Sequence, residues 1–215
     1  MIMKCKFFCF LSILFFLPMG MYAQFGIKAG INIANEINSF SDPGISAGFN
    51  TTHLSGYQIG LVYQIMPKSS GFGVETGISI SQKGSTFSDS TNTSNVIKLG
   101  YKELNYLEVP VNIRYRLLLG GVALYGFGGF YGGYALNGKT VNEKTEDIQK
   151  ETFSNSSDHI DYGYNFGAGI ELFKKIQFGA TWSQGLKNTS VLLAGLPTPT
   201  KTTNRVYSIN LVYLF

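Results

Sequence analysis

From Phe25 to the last residue the chain alternates apolar and polar positions with a period of two, and eight segments carry the pattern. FGIKAGINIA puts Phe25, Ile27, Ala29, Ile31 and Ile33 on one face and Gly26, Lys28, Gly30 and Asn32 on the other. GYQIGLVYQI sets Tyr57, Ile59, Leu61, Tyr63 and Ile65 against Gln58, Gly60 and Gln64, and FGVETGISIS sets Phe72, Val74, Thr76, Ile78 and Ile80 against Glu75, Gly77, Ser79 and Ser81. In NYLEVPVNIRYRL the alternation is clearest: Leu107, Val109, Val111, Ile113, Tyr115 and Leu117 oppose Glu108, Pro110, Asn112, Arg114 and Arg116. Pro110 lacks an N–H and costs that strand a ladder bond.

The fifth segment, VALYGFGGFYGGYAL, is rich in glycine, and Tyr125, Phe127 and Tyr131 are assigned to its outer face. IDYGYNFGAGIEL places Tyr162, Tyr164, Phe166, Ala168, Ile170 and Leu172 opposite Asp161, Asn165 and Glu171. IQFGATWSQGL places Ile176, Phe178, Ala180 and Trp182 opposite Gln177, Thr181 and Ser183, and the closing segment carries Tyr207, Ile209, Leu211, Tyr213 and Phe215 on one face. Alternation of this kind is the signature of a half-buried strand, and about 9–11 residues suffice for a tilted strand to cross a membrane.

The connections alternate too. Residues 35–55, 83–100, 136–159 and 187–204 are long and rich in Ser, Thr, Asn and Gly, whereas 66–71, 119–121 and 173–175 are short. An up-and-down barrel with short turns on one side of a membrane and long loops on the other has this layout. The expected fold is therefore all-β: an eight-stranded antiparallel transmembrane barrel over residues 24–215. A closed barrel requires the last strand to pair with the first.

Period two alone does not say which face points inward, because a soluble barrel with apolar residues inside shows the same alternation. The composition of the faces decides it. The polar face is mostly Gly, Ser, Asn and Gln, which suits a narrow interior, and the apolar face is bulky and aromatic, which suits a convex surface against lipid. A soluble barrel would also repeat Lys and Glu along its outer face, yet only 14% of the chain is charged where about 25% is ordinary. Tyr57, Tyr115, Phe178, Tyr207 and Phe215 are expected in aromatic girdles at the two interfaces.

The polar face carries Lys28, Arg114 and Arg116 against Glu75, Glu108, Asp161 and Glu171. Charges shut in a narrow lumen persist only when paired, so these residues are expected to form a salt-bridge network that plugs the barrel, most of it near the short turns. An eight-stranded interior is filled by side chains, which argues against a conducting pore.

The first residues, MIMKCKFFCFLSILFFLPMGMYAQ, read as a cleavable signal peptide over 1–23: Lys4 and Lys6, an apolar run, then Ala23 at the cleavage point. Cys5 and Cys9 both lie there, so the mature chain has no disulfide, thiolate metal site or cysteine nucleophile. Removing Lys4 and Lys6 from the 17 basic residues leaves 15 against 13 acidic ones, too weak and scattered for nucleic acid. No cofactor is expected: GFGGFYGG lacks phosphate-loop spacing and a following helix, and NEKTED at 142–147 is a charged loop tip without a calcium-site pattern.

The chain has two histidines, His53 and His159, both in expected loops. His159, near Ser156, Ser157, Asp158 and Asp161, makes a rim general base conceivable, and with it a lipid-A-modifying or proteolytic barrel enzyme. Sequence neighbours in one loop make a poor triad, because the three roles converge from separate elements. The expectation is no enzymatic activity.

FGIKAGIN after the Ala-Gln site, YLEVPVNIRYRL, YGFGGFYGGYAL, DYGYNFGAGIEL and GLKN before the closing strand together resemble the PorT-like family of outer-membrane β-barrel proteins from Bacteroidota. In many members an Arg stands where this chain has Thr181. The resemblance implies an eight-stranded barrel in the outer membrane with both termini periplasmic. It also implies insertion by the barrel-assembly machinery, for which Tyr213 and Phe215 form the C-terminal signal. The name-giving members are associated with protein secretion and gliding. An accessory or docking role in the cell envelope, beside an envelope protein partner and outer-membrane lipid, is the expected function, and its link to secretion is what the resemblance implies.

Overall fold

The computed structural model describes residues 21–39, 49–89, 97–142, 147–150, 159–188 and 201–215. The apolar run of the expected signal peptide lies outside them. Nine strands form: β1 (Met21–Ser39), β2 (Phe49–Pro67), β3 (Gly71–Asp89), β4 (Ile97–Leu119), β5 (Val122–Asn142), β6 (Asp147–Lys150), β7 (Ile160–Leu172), β8 (Ile176–Gly185) and β9 (Lys201–Leu214). Every pairing is antiparallel between neighbours, β4 also pairs β5, and β1 pairs β9, so eight strands close on themselves. The closing register sets Gly26 beside Leu214 and Ser39 beside Lys201. The Phe215 N–H donates to the Phe25 carbonyl at 2.8 Å, so the last residue is held in the seam. β6 stands outside the eight, pairing only the far end of β5 from Lys139 to Asn142.

The orientation is unambiguous. Ile31, Ile113 and Ile209 are 64%, 65% and 68% exposed, whereas Arg114 and Glu171 are 2% and 1% exposed. An apolar outer band of this extent does not persist in water. Among the described residues no helix is long and apolar enough to cross a membrane; the strands cross it. Ring pairs such as Phe25–Tyr63 (4.6 Å) and Phe72–Tyr115 (4.8 Å) lie toward the short turns, and Phe166–Trp182 (4.6 Å) lies nearer the other end. From Tyr57 to Tyr63, as from Tyr207 to Tyr213, is roughly 20 Å along the strand at about 3.3 Å per residue.

Turns at 68–70, 120–121 and 173–175 join strands at the end that also holds the start of β1 and the end of β9. The Lys175 N–H donates to the Leu172 carbonyl at 3.0 Å, closing a hairpin turn whose central residues Phe173 and Lys174 both have positive φ (53° and 57°). That is the twist-matched turn favoured between antiparallel strands, built here from two side chains that resist it.

Alternation marks only the part of each strand that meets lipid. β1 runs on through Glu36 and β3 through Lys83, positions assigned to loops by sequence pattern, and β4 begins before Lys102, ahead of the segment NYLEVPVNIRYRL. Beyond the hydrocarbon both faces are polar, so the ladder hydrogen bonds continue after the apolar face has stopped. The extension is uneven: β4 has 23 residues and β5 has 21, against 13 in β7 and 10 in β8.

Two local irregularities have direct causes. The β3–β4 ladder passes from Thr76–Val111 to Ser79–Glu108, with no pairs opposite Val109 and Pro110, where proline offers no donor. The Thr76 hydroxyl instead donates to the Pro110 carbonyl at 2.7 Å. In β5, Tyr125 and Tyr131 point inward at 7% and 6% exposure, contrary to the outward assignment, and Phe127 lies against the interior cavity. The room comes from the neighbouring strand. A Cβ on Gly163 would strike the Tyr131 ring and one on Gly169 would strike the Tyr125 hydroxyl. Leu124, Phe130, Tyr134 and Leu136 form the outer face of β5.

Candidate functional site

The polar faces of the strands converge on the interior, and their charged side chains stack in tiers along it. In the tier beside the short turns, Arg114 of β4 pairs with Glu75 of β3, and Arg116 of β4 reaches Glu171 of β7 at 3.1 Å. Amides tie the two pairs together. Gln64 donates to Glu75 at 2.7 Å, Gln177 donates to Glu171 at 2.8 Å, and Gln64 and Gln177 exchange bonds at 3.1 Å. The Arg116 guanidinium also donates to the Pro67 carbonyl, and that of Arg114 lies 3.6 Å from the Tyr125 ring centre.

Further toward the long loops, Lys83 of β3 holds two carboxylates, Glu108 of β4 at 2.5 Å and Asp161 of β7 at 3.2 Å. Its ammonium also lies 4.4 Å from the Tyr131 ring centre and 5.0 Å from that of Tyr106. Asp161 accepts from the Tyr131 hydroxyl (3.3 Å) and the Asn204 amide (3.1 Å). Above that cluster, Lys102 meets Glu36 at 3.2 Å, and the Ser85 hydroxyl donates to Glu36 at 2.9 Å. A buried pair needs such extra bonds, because attraction alone rarely repays desolvation.

Of the interior charges assigned from sequence, Glu75, Arg114, Arg116 and Glu171 meet in the first tier, and Glu108 and Asp161 meet in the second. Lys28 joins neither; it stands between the tiers and, among the described residues, makes no ion pair or hydrogen bond. Lys83, Lys102 and Glu36 are the interior residues that sequence pattern missed. The usable signal was spacing, since each keeps the inward parity of its own strand: Glu36 with Asn32, Lys83 with Ser81, Lys102 with Tyr106.

Of the rim residues, Asp161 and His159 lie among the described ones, and they point apart. Asp161 is fully buried against Lys83, while the His159 ring stacks on Tyr134 at 4.7 Å and its Nδ1 sits 2.7 Å from the Ala135 carbonyl. Asp158, Ser156 and Ser157 lie outside the described residues. Among the described residues no group of three His, Cys, Asp or Glu side chains is placed to hold a metal ion. Tyr213 and Phe215 project outward at 43% and 68% exposure, their rings 5.8 Å apart and edge to face.

No curated protein sequence matches the chain. Among solved structures it is similar to Ail, the attachment invasion locus protein of Yersinia pestis: 14% identity, 90% of this chain, 99% of that one, TM-score 0.43. OprG of Pseudomonas aeruginosa is 17% identical over 90% of this chain and 96% of its own, with a TM-score of 0.49. Neisserial surface protein A is 8% identical over 90% and 99%, with a TM-score of 0.45. The model of the outer membrane protein beta-barrel domain family matches residues 18–191. With most of its length matched and its strands closed into a barrel that turns apolar side chains outward, the chain belongs to the outer membrane protein beta-barrel domain family.

Proposed function

We propose that this protein is a non-enzymatic outer-membrane barrel whose interior is closed to solutes and whose ends serve as a docking surface for another envelope component. The observation that carries the reading is the stack of ion pairs across the interior. Arg114–Glu75, Arg116–Glu171, Lys83–Glu108–Asp161 and Lys102–Glu36 set charged, mutually bonded side chains across the bore at successive heights. A barrel of eight strands has little space beyond its own side chains, so transport gives way to display. His159, held by Tyr134 and the Ala135 carbonyl, serves the rim as a packing residue.

In this reading cleavage after Ala23 frees a strand that starts at Gln24, opposite Gln64. Both termini and the short turns face the periplasm, and Tyr213 with Phe215 forms the signal read by the barrel-assembly machinery. The tall β1–β5 wall rises on the outside. The resemblance to the PorT-like family supports a secretion-linked partner as the first candidate.

Crosslinking from Lys139, whose side chain is 44% exposed, followed by affinity purification from detergent-solubilised outer membranes, tests the docking role. Recovery of one stoichiometric envelope protein is expected; a barrel recovered alone overturns it. Lipid A whose acylation changes with the gene would overturn the non-enzymatic reading, and steady conductance in planar bilayers would overturn the closed interior.

A further inference from the structure

Between the tier at Arg114 and the cluster at Lys83 the interior opens into two adjoining chambers of about 40 and 50 Å³, which share Lys28, Pro110, Asn165 and Thr181 as walls. Each has room for roughly three or four waters at about 10–15 Å³ apiece. The larger chamber has Lys28, Arg114 and Thr181 in its wall. Lys28 makes no ion pair or hydrogen bond among the described residues. Arg114, 2% exposed, gives one nitrogen to Glu75 and sets its buried charge beside the chamber. The Thr181 oxygen accepts from the Asn210 amide at 3.0 Å, which leaves the hydroxyl hydrogen to donate elsewhere.

The acceptors nearby are already engaged or neutral. Glu75 is bonded by Arg114, Gln64 and Asn112. The carboxylate that balances Lys28 lies in the cluster above, where Lys83 alone faces Glu108 and Asp161. The larger chamber is thus locally positive and small. An unpaired ammonium in a medium of low polarity attracts a counter-ion far more strongly than one in water.

We propose that this chamber binds a small inorganic anion of halide size, held by the Lys28 ammonium and the Thr181 hydroxyl beside the buried Arg114 charge. Its volume admits one such ion with a water or two and leaves no space for an organic carboxylate or a phosphate ester. An ion bound to the folded barrel and not to the unfolded chain raises stability by mass action.

The test uses the full mature chain in detergent, with chloride, bromide and gluconate salts at matched ionic strength. Crystals grown in bromide should show an anomalous peak in the chamber between Lys28 and Arg114. The unfolding midpoint should rise with chloride or bromide and not with gluconate. Lys28→Met should lose both the peak and the halide-specific rise; Lys28→Arg should keep them. Absence of bromide from the wild-type chamber overturns the proposal, whatever the variants do. A peak that persists in Lys28→Met, with halide and gluconate equivalent, marks an adventitious ion only and overturns it as well.

Discussion

The guanidinium carbon of Arg114 lies 3.6 Å from the centre of the Tyr125 ring, and both side chains are buried inside the barrel. Planar guanidinium over an aromatic face is a favourable arrangement that lysine does not reproduce. It leaves one edge of Arg114 for Glu75. Removing the carboxylate therefore strands a charge that is already held in place. Glu75→Ala should destabilise the refolded barrel by about 3–5 kcal/mol, whereas the Glu75→Gln, Arg114→Met double variant should recover much of that loss. Urea unfolding in micelles reads both; an unchanged midpoint for Glu75→Ala would show that the pair contributes nothing.

Tyr125 fits inside because Gly179 has no side chain to meet its hydroxyl. Gly179→Val should force the ring to move and lower the unfolding midpoint by an amount typical of core overpacking, about 1–3 kcal/mol. Pairing it with Tyr125→Leu should restore part of the stability. Equal midpoints for the single and the double variant would separate the two residues.

The outer surface carries a depth-dependent sensitivity. Arginine at Val111 or Ile209, both in the lipid-facing band, should cost about 2–4 kcal/mol, falling toward 0–1 near the interfaces. Lys139→Ala, at the tall end of β5 and paired with Glu103 at 3.1 Å, should change stability by less than about 1 kcal/mol, as exposed pairs do. A uniform response along the strands would remove the membrane from the explanation.

Phe173 and Lys174 hold left-handed backbone that asparagine and glycine adopt more readily. The Phe173→Asn, Lys174→Gly double variant should gain about 1–2 kcal/mol in micelles. In lipid bilayers the gain should shrink, because Phe173, 77% exposed at the turn, gives up its contact with the interface. The same gain in both media would mean that the phenyl ring touches no lipid.

Deleting Phe215 removes the bond to the Phe25 carbonyl at the seam, and with it the terminal aromatic ring. Assembly in cells should fall sharply, while refolding into detergent should lose only about the 1 kcal/mol of one hydrogen bond. Loss of both in parallel would make Phe215 a stability residue and not a signal.

Strand number, closure and facing were legible in the sequence because lipid writes the same rule on every strand: the face of Ile27, Ile59, Val111 and Leu211 must be apolar. Tyr125 and Tyr131 were not legible. Their direction depends on Gly169 and Gly163, more than thirty positions away, and on a cation above each ring. Lys83, Lys102 and Glu36 escaped for a different reason. Above the hydrocarbon no outer apolar residue marks the parity, so strand and loop read alike although the hydrogen-bond ladder continues. His159 looked chemical because Asp158 and Asp161 flank it, yet the strand turns Asp161 inward to Lys83.

The unequal strand lengths give the rim a shape with consequences of its own. A cylinder cut square presents the same face at every rotation; one whose strands, among the described residues, run far longer at β4 and β5 than at β7 and β8 is keyed. A body settling on that edge meets a ladder-bonded parapet at β4 and β5, so it seats at a single azimuth. Lengthening β8 by a few residues would blunt the key without touching the bore.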